Sequence, residues 1–233
     1  MSKIIKFLAP SDHVWNVRPK PYPAIKNLPQ WWKDIPAYSN EEKKLNLHPG
    51  PSVTVKRCVP TIEMLGLGYY VPLWADILVT QQDGFPYIKW NTDTSVLDTW
   101  NNKQVSSFKI PEGYSNLVFK NLHGWIIKTP PGWSSIFLHP VAYSDLPFQV
   151  ISGIVDTDVL DTEINVPFVV KNNFEGLIEK GTPMFQVIPF KREGWSSEFE
   201  VKKSDKHFFD LEKLHSKINR SYYSMIKNDN RYR

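Results

Sequence analysis

Apolar and polar positions alternate in short runs through most of the chain, and turn residues separate the runs. "SVTVKRCV" (52–59) alternates well, and "IEMLGLGYYVPLWADILVTQ" (62–81) holds at least one buried strand near "DILVT". "PYIKWNT" (86–92), "QVSSFKI" (104–110), "GWIIKTP" (124–130) and "SSIFLHP" (134–140) follow, punctuated by "QQDGF", "NNK", "PEG" and "PPG". "FQVISGIVDT", "TEINVPFVV" and "TPMFQVIPF" continue the pattern. Repeated short strands with turn signals predict an all-β sandwich or barrel rather than βαβ units.

The two ends break this rhythm. "IIKFLAP" (4–10) reads as a first short strand, followed by prolines at 19, 21, 23, 29 and 36. Proline removes a backbone donor and fixes φ, so this arm is neither central strand nor long helix. One helical turn is expected around Pro29–Lys33, because proline suits a helix start. Trp31 and Trp32 in that turn either anchor the arm or form a contact surface for a partner. At the other end Phe208, Leu211, Leu214, Ile218, Tyr222 and Met225 recur every three or four residues, the stripe of an amphipathic helix, with Ser204 or Asp205 as N-cap. Phe208, Leu211, Ile218 and Tyr222 are its candidate interface residues, against the β body or a neighbouring subunit. The expected organisation is an arm over 1–51, a β-sandwich core over 52–203, and a helix with a basic tail over 204–233.

Composition narrows the class. At 233 residues the chain can bury a sizeable core, and 41% hydrophobic with 22% charged residues is a globular balance. Nine Trp and nineteen Pro mark a chain built on rigid rings and extended, turn-rich backbone. A formal net charge of +4 comes without a dense basic patch, so nucleic-acid binding is not expected. Cys58 is the single cysteine, which excludes an intrachain disulfide and cysteine-based zinc motifs. The start lacks the pattern of a secretory signal, and no run approaches the roughly 18 apolar residues of a membrane span. The expectation is a protein of the host cytoplasm or of a particle assembled there.

Catalytic motifs are sparse. No G-x-S-x-G elbow, G-x-G-x-x-G loop or Walker pattern occurs, and Cys58 lies in an alternating run that suits a buried thiol. The six histidines form no H-x-D or H-x-E pair. His207 and His215 sit about 12 Å apart by helical rise. Only His123 and His139, with a distant carboxylate such as Asp76, offer a two-His, one-carboxylate metal set. No metal and no cofactor is expected.

"SGIVDTDVLDTEINVPF" (152–168) concentrates Asp156, Asp158, Asp161 and Glu163. Period-two alternation puts Asp156 and Asp158 on one face. The stretch is read either as a strand–turn–strand unit with a polar outer face or as an acidic site. In the second case a pocket for a nucleotide or other small polar molecule would use Asp76, Asp156 and Asp158 as polar groups beside Lys128, with Trp125 and Trp133 as apolar walls.

Residues 153–190, with "GIVDTD…EINVPF" and "IEKGTPMFQVIP", resemble the closing part of the dUTPase and dCTP-deaminase superfamily. There a G-V-I-D-x-x-Y-R-G-x-I strand pair carries an essential aspartate and tyrosine. Asp156 matches the aspartate, while Val159-Leu160-Asp161 stands where that family has Tyr-Arg-Gly. The arginine of its P-R-S-G signature is missing from "TPPGWSS" (129–135). The resemblance implies a jelly-roll-like or dUTPase-like sandwich and a trimer without that family's chemistry. Over most of the chain, "LPQWWK", "KRCVPTIEMLGLGYYVPLWADI", "GWIIKTPPGWSS" and "IEKGTPMFQVIP" resemble a family of unknown role in tailed phages and some bacteria. Together these features favour a non-catalytic binding or assembly protein, a homo-oligomer or the partner of another phage protein, over an enzyme or small-molecule-binding protein.

Overall fold

The structure is a computed structural model that describes residues 3–38 and 54–201. The chain divides into two compact units, residues 1–27 with 67–192 and residues 28–66 with 193–233. In chain order the elements are strand β1 (Lys6–Leu8), helix α1 (Asp12–Val17), β2 (Tyr22–Pro23), α2 (Gln30–Asp34) and α3 (Val59–Leu65). Strands β3 (Tyr69–Pro72), β4 (Ile77–Gln82), β5 (Phe85–Trp90) and β6 (Leu97–Thr99) precede a short helix α4 (Asn102–Val105). Then come β7 (Tyr114–Asn121), β8 (Ile126–Lys128), β9 (Trp133–Leu138), β10 (Phe148–Val150) and β11 (Gly153–Val155). β12 (Val166–Lys171), β13 (Gly176–Ile178) and β14 (Pro183–Lys191) complete the described strands.

The first unit is a β-sandwich, as the alternation predicts. Its sheets have the orders β11-β9-β14-β3-β2, β10-β12-β7-β6, β13-β4-β5 and β1-β8, and every pairing is antiparallel. All four sheets feed one core, which includes Val71, Ile77, Ile127, Phe137, Phe148, Phe168, Ile178 and Phe185. β14 lies at its centre. Pro183–Ile188 are buried on both faces, which is why "PMFQVI" reads as a continuous run rather than an alternation. Gln186 is buried among them with both ends of its amide in use: Nε2 donates to the Leu67 carbonyl and Oε1 accepts from the Val141 N–H. One side chain of the central strand thus fixes two connecting loops. Pro189 lies beyond the β3 pairing, where β14 has a neighbour on one side only and a missing donor is tolerated.

The second unit contains the expected turn at α2, with Pro29 as its N-cap residue. Trp32 is buried there, and the Lys56 ammonium lies 5.1 Å from its ring and donates to its carbonyl.

Three local expectations differ from what forms, and one strand has no run that predicts it. Val55–Arg57 make a 3-10 turn and Val59–Leu65 make α3, not a strand over 52–59. The Thr54 hydroxyl accepts from the Lys56 N–H, and Pro60 falls in the first helical turn, where its lost donor is harmless. Residues 104–110 are not a strand, because the Asn101 and Gln104 side chains cap the start of α4. β7 has no clean alternation, because the polar residues Ser115 and Asn121 are buried within it. The unit over 152–168 is not a hairpin: β11 pairs with β9, whereas β12 pairs with β10 and β7 in another sheet. The helix expected over the C-terminal stripe lies outside the described residues, as do Phe208, Leu211, Ile218 and Tyr222.

α1 and the residues that follow it are held by a buried polar knot. Arg18, at the C-cap of α1, sends Nη1 to the Leu122 carbonyl at 2.8 Å, and its guanidinium lies 4.4 Å from the Trp74 ring. Gly124 has φ +81°, which favours glycine, and a Cβ there would stand 2.0 Å from Arg18 Nη1 and so push the guanidinium from its place. His123 beside it is buried and accepts the Trp125 N–H through Nδ1 at 3.0 Å. Burial, opposed by the Ile164 backbone and reinforced by the Arg18 charge, holds the His123 pKa down at about 4. An unfolded histidine takes a proton near pH 6.5, so between about 6.5 and 4 the unfolded chain binds protons that the folded chain refuses. Stability therefore falls with acid across that window, by up to about 3 kcal/mol from this group. His123→Asn keeps an acceptor for the Trp125 N–H and removes the titration. Its melting temperature should change less than the wild type's between pH 7 and 4.5 in a thermal denaturation series.

Candidate functional site

The acidic stretch becomes a corner of the sandwich rather than a cavity. After β11 the chain turns through Asp156–Asp158, and the loop's backbone closes on itself with the Val159 and Leu160 N–H groups donating to the Asp156 carbonyl. Thr157 points inward and is fully buried. Its hydroxyl meets those of Thr129 at 2.7 Å and Ser135 at 2.9 Å, and the Thr129 hydroxyl donates to the Trp133 carbonyl at 2.8 Å. The two aspartates flanking Thr157 point the other way, as alternation requires.

Both aspartates meet one cation, Arg192, the residue that follows β14. Its Nη1 donates to Asp158 Oδ1 at 2.7 Å and its Nη2 to Asp158 Oδ2 at 2.5 Å, a two-pronged pair. Nη1 also lies 3.1 Å from Asp156 Oδ1 and donates to Ser134 Oγ at 2.9 Å, while Ser134 donates to Asp156 Oδ1 at 2.6 Å. Gly132, with φ +82°, adds its N–H to Asp158 Oδ2 at 2.8 Å. The Arg192 hydrogen bonds, with help from the Gly132 N–H and against a smaller effect of burial, hold the Asp158 carboxyl down at about pKa 2. Lys128 ties the outer side of the same loop. Its Nζ donates to the Leu160 carbonyl at 3.0 Å and lies 3.4 Å from Asp161 Oδ1.

Lys128, Trp133, Asp156 and Asp158 thus meet at this corner. Trp125 and Asp76 serve other parts of the fold. Trp125 is 2% exposed, part of the core, and packs edge-on against Trp15 at 6.3 Å between ring centres. Asp76 accepts from the Lys180 N–H at 2.7 Å and from Asn91 Nδ2 at 3.1 Å, which joins the start of β4 to the turn before β14. His123 and His139 are both committed to the backbone, His139 through Nε2 to the Tyr143 carbonyl at 3.0 Å. Among the described residues no three His, Cys, Asp or Glu side chains converge in a metal-holding group. In the second unit Trp32 is buried and Trp31 is 46% exposed, with the rings edge-on at 5.8 Å.

Sequence reasoning missed Arg192, Ser134 and Thr157. Arg192 is the second of two basic residues closing an apolar run, and nothing local distinguishes it from a surface charge. Ser134 lies in "GWSS", where nothing local separates it from the serine beside it.

An open groove of about 470 Å³ lies elsewhere on this unit, lined by Phe85, Val105, Phe108, Ile110 and Leu117 with Ser106 and Asn116. It adjoins the outer face of the β13-β4-β5 sheet. On that face Leu177 stands opposite Leu78, and Tyr87 and Phe85 follow along β5. All four are more than 40% exposed, as is Phe108. Compared with known proteins, the chain matches no family model, no curated protein and no solved structure.

Chemically the corner is a clasp. Its serine hydroxyl is bound to a carboxylate and a guanidinium, with no histidine among its partners to act as base. Arg192→Ala leaves Asp158, 7% exposed, without its counter-charge and should lower the melting temperature by about 2–4 °C at pH 7. Because the Asp158 pKa is depressed on folding, the clasp stabilises above pH 4 and weakens as pH falls from there toward 2. The gap between wild type and Arg192→Ala should therefore shrink at pH 2.5. A constant gap from pH 7 to 2.5 would contradict the assignment.

Proposed function

We propose that this chain is a non-catalytic binding or assembly protein that works as an oligomer. The observation that supports this reading best is the segment that follows the clasp. Residues 193–201, "EGWSSEFEV", belong to no strand or helix, and every one of them is exposed. They carry Trp195 at 91%, Phe199 at 95% and Val201 at 83% exposure. Two exposed aromatic rings on one short segment support a surface for another molecule, because aromatics are enriched where interfaces bury area. The carboxylates that an acidic site would use are meanwhile occupied within the fold: Asp156 and Asp158 by Arg192 and Ser134, Asp76 by Lys180 and Asn91.

The sequence resemblance to a tailed-phage family supports a phage origin and a place in the host cytoplasm or the virion. No helix among the described residues is long and apolar enough to cross a membrane. The test is mass. Size-exclusion chromatography with light scattering on the full chain should give a defined multiple of the monomer mass at micromolar concentration. A strict monomer that also fails to co-purify with a particle or partner would refute the proposal.

A further inference from the structure

We infer that the core of the first unit binds an ordered water molecule between the Asn121 amide and the His123 imidazole. Such a site belongs to a single copy of the chain, whether or not copies associate. The backbone brings the two side chains to one place. Asn121 ends β7 and stands opposite Leu97 of β6 on one side and Val166 of β12 on the other. Both ladders carry on past it. The Leu122 N–H donates to the Val96 carbonyl. Continued by two residues, the Val166 register sets Ile164 opposite His123, and the Ile164 backbone does approach the imidazole. Residues 121–123 are therefore extended, so Asn121 and His123 leave the same face about 7 Å apart along the strand. That face is the core. Leu97, Phe119 and Val166, on the Asn121 side, belong to the apolar cluster, and the His123 ring lies 5.0 Å from that of Phe185.

What meets there is polar and unpaired. Asn121 is 0% and His123 1% exposed, and Asn121 Oδ1, Asn121 Nδ2 and His123 Nε2 have no hydrogen-bond partner in the protein. Buried polar atoms are ordinarily paired, because an unpaired one has given up its hydration for nothing in return. The tautomer of His123 follows from its other nitrogen. Nδ1 accepts the Trp125 N–H, so in the neutral ring Nε2 carries the proton. The face thus offers N–H donors from both residues and a carbonyl acceptor from Asn121.

That set selects the ligand. An anion would confront the partial negative charge of Oδ1. A metal ion would confront N–H groups, and among the described residues no cluster of His, Cys, Asp or Glu is placed to hold one. A neutral molecule that donates and accepts at once suits all three atoms: it accepts from His123 Nε2 and donates to Asn121 Oδ1. Water is the smallest such molecule, and buried water in globular proteins makes two to four hydrogen bonds to otherwise unpaired groups of this kind.

The experiment uses the full chain, with water itself as the probe. In proton NMR spectra of the wild type, cross-peaks are expected from water to the Asn121 side-chain amide protons and to the His123 Nε2 proton. They should have opposite signs in laboratory-frame and rotating-frame Overhauser spectra, which separates a bound water from proton exchange. Oxygen-17 relaxation dispersion then counts long-lived waters in the wild type and in Asn121→Leu. Leucine keeps the branching of asparagine, and its extra volume would take the water's place. The variant should lose the contribution of at least one long-lived water while circular dichroism stays that of the wild type. Absence of the cross-peaks overturns the inference whatever the variant does, as does an undiminished dispersion in a folded Asn121→Leu. In either case the amide and the imidazole find their partners within the protein instead.

Discussion

Strand β14, buried over most of its length and pinned at its end by Arg192, is the element around which the sandwich is arranged. Its core side chains belong to the one cluster to which all four sheets contribute, and Gln186 holds two loops from within the strand. A buried amide left unpaired would cost about 1–3 kcal/mol, so those loops are constrained to supply its partners. At the strand's end the guanidinium does the equivalent work at the surface. It draws Asp156, Asp158 and Ser134 together and so fixes the loop after β11 against the start of β9.

That arrangement changes what the acidic stretch means. Two aspartates separated by one residue invite a reading as an active site, because alternation aims them at the same point. They do aim at the same point, and an arginine occupies it. Thr157, between them, closes a buried hydroxyl group with Thr129 and Ser135, so the residues serve packing on one side and charge pairing on the other. The same clasp sets the residue from which the exposed 193–201 segment departs. Fold and proposed function are linked there: the clasp ends the sandwich, and the rings that the fold leaves uncovered begin three residues later.

The β class was legible because period-two runs and turn signals are local. Strands such as β5, β8, β9 and β14 stand where their sequences place them, and the proline-started turn at α2 does too. What was illegible depended on distant partners. β7 looks irregular until Ser115 and Asn121 are seen inside the fold, and the pairing of β11 and β12 in separate sheets cannot be read from the turn that joins them. At the corner, Asp156, Asp158, Lys128 and Trp133 were legible as a group. Arg192 was not, since it comes from a strand end 34 residues after Asp158. Trp125 and Asp76 share the residue types of a pocket but lie in the core and at a different turn.

The central claim is that the exposed rings of 193–201 are covered when chains associate. Hydrogen exchange on the full-length protein across a range of concentrations measures this directly, because a docked segment protects its amides and a free one does not. Amides of residues 194–201 should exchange at free-peptide rates in dilute solution and slow by at least about tenfold as concentration rises through the association range. Free-peptide exchange at every concentration would contradict the account.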